Sequence, residues 1–135
     1  MTYPCDGPDE FIKGVRSQLK AGADFIKTNL CVSSTYDLKK PYKQEMSNEE
    51  IEAVAKITKM LNIKVASHTS GGSAITKAVE CGLHSVEHGH WLDNKTVDLM
   101  KKNNTFYVPT LLVNERNFDF KENEKFIKIQ ILYEK

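Results

Sequence analysis

Lys27, His68 and His88 are the residues of this sequence whose types and positions best support chemistry. Each stands at or near the end of a short apolar run: Ala23 to Leu30, Ile63 to His68, and Leu83 to His88. If those runs are parallel strands of an α/β fold, their carboxyl ends are where reactive groups collect. Two imidazoles on successive strand ends can converge on one cation, in the manner zinc prefers. An ammonium group among apolar strand neighbours is expensive to bury, so Lys27 needs a partner, a chemical modification or a depressed pKa. Spacing alone leaves two readings open for each residue. Lys27 is a ligand or a rim lysine reaching solvent, and each histidine is a ligand or a core imidazole satisfied by a backbone carbonyl.

The neighbouring polar residues sort less sharply. His90 forms an H-x-H with His88, and such a pair projects to one face of an extended segment. Its expected place is nevertheless the loop after the strand, near Trp91, as a rim or substrate contact. Alternation puts Glu87 on the opposite face from His88, as a supporting carboxylate rather than a general base. His84, at the start of the same run, belongs at the opposite end of the strand. Ser70-Gly71-Gly72-Ser73 lacks the flanks of a phosphate loop or a nucleophile elbow and reads as a strand-to-helix turn. Nothing local lowers the pKa of Cys31, so a structural thiol is the better reading.

The elements that must position these residues alternate regularly. Pro8 opens a helix carrying Phe11, Val15 and Leu19, which stops at Gly22. The first strand, Ala23 to Leu30, has adjacent Phe25 and Ile26, as expected of a strand covered on both faces. Cys31 to Met46 is a long polar loop containing Pro41. Ser47 with Glu50 makes a capping box for a helix bearing Ile51, Val54, Ala55 and Leu61. Ile63 to His68 is the second strand, a short helix with Ile75, Ala78 and Val79 stops at Gly82, and Leu83 to His88 is the third strand. Asp93 caps a helix that the Asn103-Asn104 pair ends, and Thr105 to Thr110 is a fourth strand of β-branched and aromatic residues. After Asn114 the sequence is highly charged, and its last apolar residues fit helix and strand equally.

Strand starts near 63, 83 and 105 leave about 20 residues per unit, the tempo of parallel strands joined through helices. The expected fold is α/β, a partial TIM-type (β/α) barrel of about four parallel strands with helices. A complete barrel takes eight units and ~250 residues. Residues 1–115 are expected to form this partial barrel and 116–135 a charged tail, with helix the expected form although periodicity does not decide it.

Composition excludes several classes of partner. Of 135 residues 40% are hydrophobic and 27% charged, as in a globular domain, and 19 basic against 18 acidic side chains give +1. No strong field points to nucleic acid or an anionic membrane. The longest apolar runs fall well below the ~20 residues of a membrane helix, and the polar start lacks a signal-peptide core. Three cysteines at irregular spacing argue for reduced thiols and a cytoplasmic location.

Ala23-Asp24-Phe25-Ile26-Lys27, Val65-Ala66-Ser67-His68 and Ser85-Val86-Glu87-His88-Gly89, in that order, resemble the middle of a metal-dependent amidohydrolase. The likeness is to the imidazolonepropionase-like and Xaa-Pro dipeptidase (prolidase-like) branch, running from about Asp6 to Val113 over strands four to seven. In that family a strand-four lysine is carboxylated by carbon dioxide and bridges two divalent ions, which implies that role for Lys27. By the same resemblance His68 matches the fifth-strand ligand and His88 the sixth-strand ligand. The family's first-strand H-x-H and eighth-strand aspartate have no counterpart among these residues. Ser70 stands where the branch often has a second histidine that contacts substrate.

The resemblance implies metal-dependent hydrolysis of a carbon–nitrogen bond (amide, cyclic amide or dipeptide) in a small molecule, with zinc as the expected ion. The isolated chain is expected to be weakly active or inactive, since half of the family's ligands are missing. Two alternatives stand beside this. One makes Lys27 a Schiff-base lysine of an aldolase-like barrel. The other is a non-catalytic half-barrel that self-associates or complements another chain, because an open parallel sheet leaves edges and apolar faces uncovered.

Overall fold

A computed structural model describes residues 3–31 and 44–111. The interior of the polar loop and the charged tail expected at 116–135 lie outside the described residues. Helix α1 spans Pro8–Lys20, β1 Ile26–Asn29, α2 Asn48–Met60 and β2 Val65–Gly71. Then follow α3 (Ser73–Glu80), β3 (Ser85–Trp91), α4 (Asn94–Asn103) and β4 (Phe106–Val108).

Local chemistry fixes the helix ends. Ser47 Oγ accepts from the Glu50 amide while Glu50 Oε2 accepts from the Ser47 amide, closing the capping box on α2. The other Glu50 oxygen accepts from the Gly7 amide at 2.8 Å, so one carboxylate ties the starts of α1 and α2 together. Asp93 caps α4 through the Thr96 amide at 2.7 Å, and Asn104 ends that helix in a left-handed conformation.

The four strands lie in the order β1-β2-β3-β4, every neighbouring pair parallel. Among the described residues each connection between successive strands carries one helix. This is a partial (β/α) barrel. Ile26, Leu30, Val65, Ala78 and residues of α1 and α2 form one buried cluster, and Ile75, Val79, Val86, Val97 and Met100 a second. Both lie between the sheet and its helices. The other face of the sheet, which a closed barrel turns inward, carries Lys27, Ala66, His68, Ser85, Glu87, Phe106 and Val108.

Several boundaries differ from expectation. β2 and β3 continue three residues beyond His68 and His88, so both histidines lie within strands rather than at their last positions. β4 is shorter than Thr105 to Thr110, because Pro109 has no amide hydrogen for the ladder. Phe25 is 56% exposed, so β1 is covered on one face only among the described residues. The described part of the polar loop is tied at its ends. Leu30 O accepts from the amides of Glu45 and Met46, and Cys31 bridges Gln44. Cys5, Cys31 and Cys81 are free thiols. Among the described residues no helix is long and apolar enough to cross a membrane.

Candidate metal centre

Strand register sets the site in two levels. Lys27 is level with Ala66, which is level with Ser85, while Asn29 is level with His68 and His68 with Glu87. Side chains two apart on a strand share a face, so Lys27 and His68 both project onto the open face from adjacent strands.

His88 reaches this face by a different route. Regular alternation from Glu87 would send its ring toward the helices. Its φ of 71°, followed by 52° at Gly89, turns the strand instead. The His68 and His88 rings then meet edge to face with centroids 4.5 Å apart. Tyr107 holds the turn, its hydroxyl donating to His88 O at 3.0 Å. Gly89 is required there, because a Cβ would lie 2.8 Å from the Tyr107 ring. His88 Nδ1 hydrogen-bonds Thr110 Oγ1 at 2.7 Å, which leaves Nε2 as the nitrogen available to a ligand.

Glu87 corrects the sequence reading. It lies on the same face as Lys27 and His68, because His88 is the residue that departs from alternation. Glu87 Oε2 stands 3.9 Å from Lys27 Nζ, and Ser85 Oγ donates to Glu87 Oε1 at 2.5 Å. Burial lowers the Lys27 pKa and the Glu87 carboxylate opposes that shift. Lys27 therefore has the partner that a strand lysine requires.

Burial also keeps both imidazoles reluctant to charge. His88 is pushed down to about 4, first by burial and then by the positive charges of His68, His90 and Lys27. His68 is lowered by burial and by Lys27 and His90. A neutral imidazole is the form that binds a metal.

His90 is also corrected. It lies inside β3 rather than in a loop, buried, with its ring centroid 5.9 Å from that of His88. Ser70 is 2% exposed, and its amide donates to Cys31 Sγ at 3.1 Å. Cys31 is buried and contacts Thr69 Oγ1, so this thiol joins the first loop to β2. His84 lies toward the opposite end of β3, where its backbone bonds Val65 and Phe106. Gly72 precedes α3 as its cap residue, which makes the glycine pair a strand-to-helix turn.

Sequence reasoning missed Thr110, the hydroxyl that orients His88. Its place just after the fourth strand was the available signal.

The site thus gathers Lys27, His68 and His88 with Glu87 and His90 nearby. Among the described residues no group of three or more His, Cys, Asp or Glu side chains is arranged to hold a metal. Two neutral imidazoles fit a divalent ion, and a third ligand has to come from Lys27 or from outside the described residues.

Ochratoxinase from Aspergillus niger is 29% identical over 131 residues, covering 94% of this chain and 27% of that protein. The crystal structure of that ochratoxinase superposes with a TM-score of 0.77 over 95% of this chain and 30% of its own. A crystal structure of a Xaa-Pro dipeptidase with bound methionine in the active site is 31% identical, with a TM-score of 0.77 over 93% of this chain and 32% of that one. The chain therefore spans roughly a quarter to a third of these relatives. The model of the amidohydrolase family matches residues 1–126, which shows that the chain belongs to the amidohydrolase family.

Proposed function

We propose that this chain contributes the Lys27, His68 and His88 half of a divalent-metal site that hydrolyses carbon–nitrogen bonds in small amides, cyclic amides or dipeptides. The observation that carries this reading is the approach of the His68 and His88 rings on the sheet face that also bears Lys27. Relatives described as a Xaa-Pro dipeptidase and an ochratoxinase support the substrate class. Zinc is the ion that suits two neutral imidazoles, and a carboxylated Lys27 would be a further ligand in this reading.

A divalent ion held by His68 and His88 would supply water of pKa ~7 and Lewis-acid polarisation of a carbonyl. The residues of this chain do the rest of the work assigned here. Burial keeps His68 and His88 neutral, and Thr110 orients His88. Glu87 is engaged by both Ser85 and Lys27, so it is poorly placed to accept a proton from water. Low turnover by these 135 residues alone follows, because the remainder of the ligand set lies outside them. His90, its ring centroid 5.9 Å from that of His88, is the better candidate for substrate contact, and Ser70, 2% exposed with its amide bonded to Cys31, is the weaker one. A cytoplasmic setting belongs to the same proposal, supported by the free thiols. The Schiff-base reading of Lys27 loses ground to family membership.

Elemental mass spectrometry of the natively purified chain tests the proposal. Near-stoichiometric zinc that is lost in Lys27→Ala and His88→Ala supports it. A wild-type chain that takes up no zinc, manganese or cobalt overturns it.

A further inference from the structure

At the amino ends of β2 and β3, away from the imidazoles, lies a cavity that the proposed hydrolysis does not use. It has a volume of about 330 Å³ and is lined wholly by residues 55–84, where α2 hands over to β2 and α3 to β3. The two helix ends that wall it are built alike. Asn62 and Gly82, at φ 56° and 81°, end their helices in left-handed turns. The Ile63 amide then donates to Thr58 O and the Asn62 amide to Lys59 O, while Leu83 and Gly82 repeat the pattern on Ala78 O and Val79 O. These last-turn carbonyls, which would repel an anion, are thereby engaged within the backbone.

The side chains of the cavity divide by chemistry. Val65 and Leu83, each 3% exposed, give it an apolar part. Lys59, Lys64 and His84, all exposed, give it a basic part, and no acidic side chain lines it. None of these three basic groups joins an ion pair among the described residues. Glu52 and Glu80, the acids that act on the neighbouring Cys81 thiol, lie outside the lining, and Glu52 is bonded to Lys77.

We propose that this cavity binds a phosphate monoester with a compact apolar body, the phosphate held by Lys59, Lys64 and His84 and the body laid against Val65 and Leu83. Two ammonium groups and an imidazole N–H supply donors to the terminal oxygens of a dianion. Like charges that line one cavity repel one another, and a dianion relieves that repulsion. The volume is at the small end of ligand sites, which favours a compact body over a nucleotide. Every lining residue comes from two consecutive helix-to-strand connections, and none of them belongs to the metal centre.

Cys81 lines the same cavity and is partly exposed, so its reactivity reports occupancy. Phenyl phosphate is titrated into the full chain at constant ionic strength, and alkylation by iodoacetamide is followed by peptide mass spectrometry, with Cys5 as the internal control. Saturable slowing at Cys81 with Cys5 unchanged is the expected result. Inorganic phosphate lacks the apolar body and benzoate the second charge, so both should protect more weakly. A Lys59→Gln, Lys64→Gln double variant keeps the wild-type circular dichroism, because both side chains are exposed, and weakens protection roughly tenfold or more, about 1.4 kcal/mol. Absence of saturable protection overturns the proposal, as results if phosphate is drawn to the imidazoles instead or if other residues of the protein fill the cavity. So does protection by inorganic phosphate or benzoate equal to that by phenyl phosphate, or protection that survives the loss of both lysines.

Discussion

His88 and Thr110 hold left-handed backbone conformations, φ 71° and 50°, and are joined through Nδ1 and Oγ1 at 2.7 Å. Two non-glycine residues in that region, linked side chain to side chain, store strain at the mouth of the site. The bond fixes the ring and leaves one nitrogen for a ligand. Thr110→Val keeps the shape of the side chain and removes the hydroxyl. Its expected effect is a metal affinity lower by ~10- to 100-fold with little change in melting temperature, read by calorimetric titration of zinc. Equal affinity in wild type and variant would show that the ring is held by packing alone.

The strain itself can be measured at His88. Alanine and glycine both delete the ring and its hydrogen bond, so their difference reports the backbone. His88→Gly is expected to be more stable than His88→Ala by ~1 kcal/mol in urea denaturation, the usual penalty of a left-handed residue with a Cβ. Neither should retain zinc. If the two unfold at the same urea concentration, the turn relaxes once the ring is gone.

Acid should destabilise the metal-free chain through the same residues. In the folded chain His88 titrates at about 4 and His68 below its ordinary 6.5. Between pH 6.5 and about 4 the unfolded chain therefore binds more protons than the folded one, and stability falls as pH falls through that window. Above it both states carry neutral imidazole and the effect vanishes. Melting curves across this range should fall less steeply for His88→Gln than for wild type. Parallel curves would assign the acid sensitivity to other groups.

What the sequence disclosed follows from how local the cause is. Ser47, Glu50, Asp93 and Asn104 act within one turn of their helices, so the helix ends were readable from residue type and spacing. Lys27 and His68 share a sheet face because regular alternation and the strand register govern them, although His68 lies within β2 rather than at its expected end. Alternation failed at His88, whose turn depends on Tyr107 from another strand and on the absence of a Cβ at Gly89. That tertiary cause also misplaced Glu87 by one face and His90 by one element. Thr110 was hidden for the same reason, since its contact with His88 bridges 22 positions of sequence.

Gly89 offers the sharpest test of this turn. A methyl group there would sit 2.8 Å from Tyr107 Cε2 and 3.1 Å from Val86 Cγ1, at φ 52°. Val86 is fully buried in the second cluster and has no room to retreat. The Tyr107 ring would have to move, and its hydroxyl would leave His88 O. Gly89→Ala should therefore combine overpacking with backbone strain and lower stability by roughly 2–3 kcal/mol. Gly22→Ala is the control, because φ there is 94° with nothing within 4 Å of the added carbon, so strain acts alone. That control should lose only ~1 kcal/mol and keep its zinc affinity. Gly89→Ala should lose both, since the strand turn that presents His88 to His68 can no longer close. If Gly89→Ala is no less stable than Gly22→Ala, Tyr107 is not what holds the turn.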